Sequence, residues 1–156
     1  MKKTKPDLNL SVQYAYRPTD VPPRSLFRKW VCAAQESGAA VTIRIVSEEE
    51  GRALNRDYRG KDYATNVLSF VYEQAPLCQG DLVLSAAVVS REALEQGKSV
   101  EAHYAHMIVH GMLHLQGYDH EDDADAQAME AVETHIMRRL GYTDPYAIIE
   151  VEQQHG

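Results

Sequence analysis

At 156 residues, 44% of them hydrophobic and 25% charged, the chain has the composition of one ordinary globular domain and is long enough to bury a real core. A net charge of −7 argues against a general polyanion binder, so any contact with nucleic acid has to come from a local basic patch. No apolar run reaches membrane-spanning length, and the basic start at residues 1–5 runs into Pro6 and Asp7 without the apolar centre of a signal peptide. Cys32 and Cys78 lack metal-ligand spacing and read as reduced thiols, which makes a cytoplasmic location the expectation.

In chain order, Leu8, Leu10, Val12 and Tyr14 alternate with polar residues, the period of a half-buried strand. After Pro22 and Pro23 the spacing turns helical, with Leu26, Phe27, Trp30, Val31 and Ala34 on one face and Gly38 as the stop. Residues 41–46 form a second strand. Ser47, with Glu50 three residues on, is a capping box that opens a helix through about Tyr58. Arg56, Arg59 and Lys61 then concentrate positive charge at that helix end and the Gly60 turn. Two readings stand there: solvated cations favoured by the helix dipole, or a phosphate-reading patch.

Residues 67–72 and 81–84 read as two further strands, an antiparallel pair closed through Pro76 and Gly80. Ser85 is expected to cap a helix that stops at Gly97, and Ser99 to cap the next, which runs to Gly117. The last helix opens on Glu121, Asp122 and Asp123, buries Met129, Val132, Ile136 and Leu140, and ends on Arg138 and Arg139 before Gly141. After Pro145 the chain is expected to fray. This order predicts an α+β, three-layer fold: a small four-stranded mixed sheet flanked by helices, one domain over residues 1–156. Right-handed crossovers make the first three strands parallel, with the fourth antiparallel to the third.

The stretch H-G-M-L-H-L-Q-G-Y-D-H at 110–120 carries the chemistry. His110 and His114 are four apart, one helical turn above each other on the same face. Gly117 supplies the residue type that ends helices in a left-handed conformation, so His120 can return toward the first two imidazoles. Three imidazoles with an open fourth position fit a catalytic zinc, one per chain, although nickel, copper or iron suit the same donors. His114 is assigned to catalysis as well as to the metal. The spacing is close to that of the metzincin proteases, but Gly111 occupies the place of their catalytic Glu. His103 and His106 continue the stripe upstream and are expected to be partly exposed residues beside the cleft, not ligands. Asp119 is a candidate to orient a ligand histidine.

With Y-R-G-K-D at 58–62, T-N-V-L-S-F at 65–70, G-D-L-V-L-S at 80–85 and G-Y-T-D-P-Y at 141–146, the chain resembles the YbeY family over most of its length. Ala64 and Asn66 depart from the Pro and Asp often found there. The resemblance implies a single-strand-specific endoribonuclease that acts in small-subunit (16S) rRNA processing and ribosome quality control. It further implies a zinc-type site at His110, His114 and His120 and a functional Arg59. Single-stranded RNA and the small ribosomal subunit are the implied partners; no membrane and no DNA are expected. Two other readings stand beside it: a metzincin-like metalloprotease, and a non-catalytic ribosome-assembly factor with a structural metal.

Overall fold

The computed structural model describes residues 6–147. The basic start and the end expected to fray fall, before residue 6 and after residue 147, outside the described residues. Within them the elements follow the expected order: β1 (Leu8–Tyr14), α1 (Arg24–Ala34), β2 (Ala39–Val46), α2 (Glu48–Arg59), β3 (Val67–Glu73), β4 (Cys78–Ser85), α3 (Ala86–Glu95), α4 (Val100–Leu115) and α5 (Asp123–Arg139).

Side-chain caps start three of the helices. Ser47 Oγ accepts from Glu50 N at 3.2 Å, Ser99 Oγ from Ala102 N at 3.1 Å, and Asp122 Oδ1 from Asp125 N at 2.8 Å, each satisfying one amide that the first turn leaves unpaired. The capping box at Ser47 is only half formed, because the Glu50 carboxylate accepts from Arg44 at 2.9 and 3.0 Å instead. Ser85 makes no side-chain cap. The chain passes from β4 into α3 there without a turn, and the buried Ser85 hydroxyl faces α2, where a Cβ on Gly51 would lie 3.6 Å from it. Helix α1 ends at Ala34, ahead of Gly38, because Gln35 is already extended.

The sheet runs in the order β1-β2-β4-β3. β1 pairs parallel with β2, and β2 parallel with β4, while β3 lies antiparallel to β4 at the edge. The expected strand directions are therefore corrected: the fourth strand joins the parallel set, and the third is the antiparallel one. Burial explains the swap. Leu82, Val83 and Leu84 of β4 are all buried, so this strand needs cover on both faces and takes a central place. In β3, Val71 and Tyr72 are exposed, which suits an edge.

Alternation along the strands then separates two layers. Ile43, Ile45, Leu82 and Leu84 face the main core with α1 and α4, while Val46, Leu68 and Val83 face the other side, where Leu54 of α2 packs. α4 lies close enough to β4 that Gly80 has no room for a side chain. A Cβ there would meet Leu115 Cδ2 and the Phe70 carbonyl oxygen, each at 2.6 Å. The carbonyl belongs to a paired strand and cannot give way. Gly80→Ala is therefore expected to lower stability by about 1–3 kcal/mol, the usual scale of overpacking. Urea unfolding of the two proteins, read at unchanged m-value, checks this.

Candidate metal centre

α4 is apolar almost all round. Tyr104, Ala105, Ile108, Val109, Met112, Leu113 and Leu115 are fully buried among α1, the sheet and α5, leaving one polar stripe: His103, His106, His110 and His114. The helix ends in a Schellman motif, in which Tyr118 N donates to Leu113 O at 3.0 Å and Gly117 N to His114 O at 3.1 Å. Gly117 takes the required positive φ, +102°. The turn is then tied to the end of α1. Gln116 Nε2 donates to Ala34 O at 2.9 Å, Gln116 Oε1 accepts from Glu36 N at 2.7 Å, and the Tyr118 hydroxyl donates to Glu36 Oε2 at 2.7 Å.

This reversal brings the three expected histidines together. The His120 ring centroid stands 5.7 Å from that of His110 and 5.8 Å from that of His114, and the rings of His110 and His114 are stacked 6.4 Å apart. Three imidazoles tetrahedrally placed at the ~2.1 Å Zn–N distance would have centroids on the order of 5 Å apart, closer than these three rings stand. The ligand atoms that lie within 4.8 Å of one another are those of His114, Asp119 and His120, a group with a carboxylate and without His110. Asp119 Oδ1 also accepts from His120 N at 2.7 Å, which holds the returning residue in place.

Hydrogen bonds select the tautomers. His114 Nδ1 lies 3.1 Å from Tyr118 O. A carbonyl only accepts, so Nδ1 carries the proton and the Nε2 lone pair is free. His110 Nδ1 lies 3.2 Å from Glu133 Oε2, an acceptor once ionised. Burial pushes the Glu133 carboxyl up, but the hydrogen bonds it receives from His106, His110 and the Tyr146 hydroxyl outweigh it and hold it at about 2. Burial, and then the nearby His110, pushes His114 below the ordinary imidazole value, toward the neutral form that a metal ligand requires. His110 and His114 are half-buried and His120 is exposed, so the cluster is open to a substrate. The donor types and the free lone pairs fit a divalent transition metal.

The other expected residues fall differently. His103 and His106 are buried, at 2% and 6% exposure, where the sequence suggested partial exposure. Each is covered by a helix that brings a carboxylate. His103 Nε2 lies 2.8 Å from Glu92 Oε1 of α3, which also accepts from Asn66 Nδ2 at 3.0 Å, and His106 Nε2 lies 2.6 Å from Glu133 Oε1 of α5. Glu133 is the residue that sequence reasoning passed over. It stands four after Met129 and three before Ile136, on the buried face of α5, where Val132 and Leu140 are only partly covered. A charged residue at apolar spacing was the available signal.

Arg59 is the exposed last residue of α2, and among the described residues it makes no ion pair or side-chain hydrogen bond. Gly111 does not face the histidines at all. A Cβ there would stand 2.7 Å from Leu82 Cδ2, inside the core. A Glu at that position would therefore begin against β4, not beside a bound water. Gly111→Glu is expected to melt well below the parent protein and to gain no peptidase activity. A thermal melt and an assay on unfolded casein check both.

A sequence model described as Endoribonuclease YbeY matches residues 9–141. Endoribonuclease YbeY of Nitrosomonas europaea is 58% identical over 142 residues, covering 91% of this chain and 87% of that protein. The protein of the same name from Methylibium petroleiphilum is 56% identical over 147 residues, covering 94% of this chain and 99% of its own length. The solution structure of TM1509 from Thermotoga maritima superposes with a TM-score of 0.57 at 22% identity, covering 90% of this chain and 99% of that one; it supports the fold alone. Among the described residues no helix is long and apolar enough to cross a membrane.

Proposed function

The chain belongs to the Endoribonuclease YbeY family, and from that premise we propose that it is a metal-dependent, single-strand-specific endoribonuclease of small-subunit rRNA processing and ribosome quality control. The enzyme is one hydrolase domain over residues 1–156, works in the cytoplasm on RNA of the small ribosomal subunit, and takes neither DNA nor a membrane as partner. The observation that carries the reading is the convergence of His110, His114 and His120, with the Nε2 lone pairs of the first two left free by their Nδ1 hydrogen bonds.

These three side chains hold one divalent ion, zinc in the first place, with Asp119 beside them as a further oxygen donor. When bound, the ion supplies a Lewis acid for the phosphoryl oxygens and lowers the pKa of a coordinated water. The protein supplies the rest. His114, tied to Tyr118 O, keeps its orientation without help from substrate. Arg59 offers a planar donor fork to a phosphate of the RNA. Nothing at position 111 can serve as the base that peptide hydrolysis would need, which favours phosphodiester over peptide chemistry.

End-group analysis of a structured RNA, with and without chelator, tests the reaction. Chelator-sensitive internal cleavage in single-stranded segments is expected, and the product ends tell attack by water from attack by the 2′-hydroxyl. Cleavage unaffected by metal removal would overturn the assignment. His114→Ala is expected to lose the ion while staying folded, since the apolar faces of α4 are untouched; elemental analysis and a thermal melt check this. Arg59→Glu is expected to keep metal and melting temperature but to lower turnover by roughly a hundredfold, the scale of losing one charge-stabilising donor. Arg59→Lys should already turn over more slowly, because an ammonium does not reproduce the fork. Steady-state kinetics on one RNA orders the three proteins.

A further inference from the structure

The stretch from Gly141 to Tyr146 has no place in the proposed reaction, yet it closes over the helix that carries the histidines. Tyr146 donates its hydroxyl to Glu133 Oε1 at 2.7 Å. Its own amide donates to Asp144 Oδ1 at 2.8 Å, which also accepts from Thr134 Oγ1 at 3.3 Å, and Lys98 Nζ donates to Pro145 O at 2.7 Å. The segment is thus fastened both to α5 and to the approach to α4. Glu133, 1% exposed, receives donors on both oxygens: Tyr146 and His106 Nε2 on Oε1, and His110 Nδ1 on Oε2. A buried carboxylate so engaged cannot rotate without leaving a donor unpaired.

We propose that Glu133, locked by Tyr146 and His106, is the positioning residue of the metal centre. Its Oε2 takes the Nδ1 proton of His110 in a hydrogen bond and so sets the tautomer and ring plane that turn Nε2 toward the ion. This rests on His110 being a ligand. A carboxylate on the far nitrogen of a ligand imidazole orients the ring and makes it a better donor to metal. The neighbouring His106 fits the same arrangement. Its Nε2 serves Glu133 and its buried Nδ1 has no partner among the described residues, so the ring leaves an acceptor unpaired and not a donor. The carboxylate therefore receives three donors and offers none. The G-Y-T-D-P-Y motif, remote from the histidines in sequence, thereby joins the site, since its second tyrosine holds the residue that holds His110.

The amide variant separates positioning from mere filling of space. In Glu133→Gln the side-chain oxygen has to stay with Tyr146 and His106, where two donors meet. The amide nitrogen then faces His110 Nδ1, which must accept. His110 is driven to the Nε2–H tautomer, which has no lone pair for the ion. The experiment measures zinc affinity by chelator competition, the His110 tautomer by ¹⁵N NMR of metal-free protein, and the melting temperature. Glu133→Gln is expected to bind zinc roughly ten- to a hundredfold more weakly and to show the switched tautomer. Tyr146→Phe, at a residue 43% exposed, is expected to stay folded and to lose affinity in the same direction. Glu92→Gln, which removes the carboxylate from His103, should leave affinity unchanged. Parent-like affinity and tautomer in Glu133→Gln overturn the proposal; should that variant not fold, parent-like affinity in Tyr146→Phe overturns it. His114→Ala run alongside keeps the two readings apart: full zinc occupancy there defeats the metal centre itself, whereas loss there with no effect at Glu133 or Tyr146 defeats only the positioning role.

Discussion

The separation between α4 and β4 governs the molecule. Side-chain carbons at Gly80 and Gly111 would come within 2.6 and 2.7 Å of leucines across that interface, so the helix sits nearly in backbone contact with the sheet. On its adjoining side, Tyr104 meets Phe27 of α1 edge to face, with centroids 5.9 Å apart. Two contacts at different angles fix the rotation of a helix about its axis. A slip of one residue turns it by about 100° and would drive His110 and His114 into apolar packing. The direction of the histidine stripe is thus a consequence of core packing, and the site inherits the rigidity of the core.

That arrangement leaves polar rings to be buried. Of the four histidines on α4, the upstream two lie beneath neighbouring helices, and each neighbour contributes one carboxylate, Glu92 from α3 and Glu133 from α5. Such pairs add little net stability, because desolvation offsets most of the attraction, but deleting one partner alone leaves an unpaired buried group and is strongly destabilising. Asn66 joins the first pair through its Nδ2, a donor that an Asp at that position would lack.

Much of this was legible in the residues. The interval between His110 and His114 needs only helical periodicity, and Gly117 announces the reversal that returns His120; both are local, and local chemistry reads well from sequence. So do the caps at Ser47 and Ser99. What was not legible depends on partners distant in the chain. The place of β4 between β2 and β3 follows from how much apolar surface each strand must hide, a competition no single strand reveals. The burial of His103 and His106 depends on helices that arrive from elsewhere in the chain, and so does the meeting of Glu133 with His110. At Ser85 the local signature misled, because a strand running straight into a helix turns the hydroxyl away from the first turn.

The charge distribution bears on where the proposed substrate is held. With 23 acidic residues against 16 basic ones, the surface as a whole repels a polyanion. Near the end of α2, Arg52 is paired with Asp62 and Arg56 with Asp57, while Arg59 and Lys61 have no ion pair among the described residues. α2 covers the sheet face opposite α4, as its Leu54 packs with Val46, Val83 and Leu68. Between the two faces lies β3, the edge strand, with the Tyr58 ring on Phe70, 5.5 Å between centroids. Arg59 and the histidines are thus carried by helices that pack on opposite faces of the sheet. Near the end of α2, Arg59 and Lys61 are the cations that no carboxylate among the described residues neutralises, and a polyanion held there meets less repulsion than elsewhere on this acidic surface.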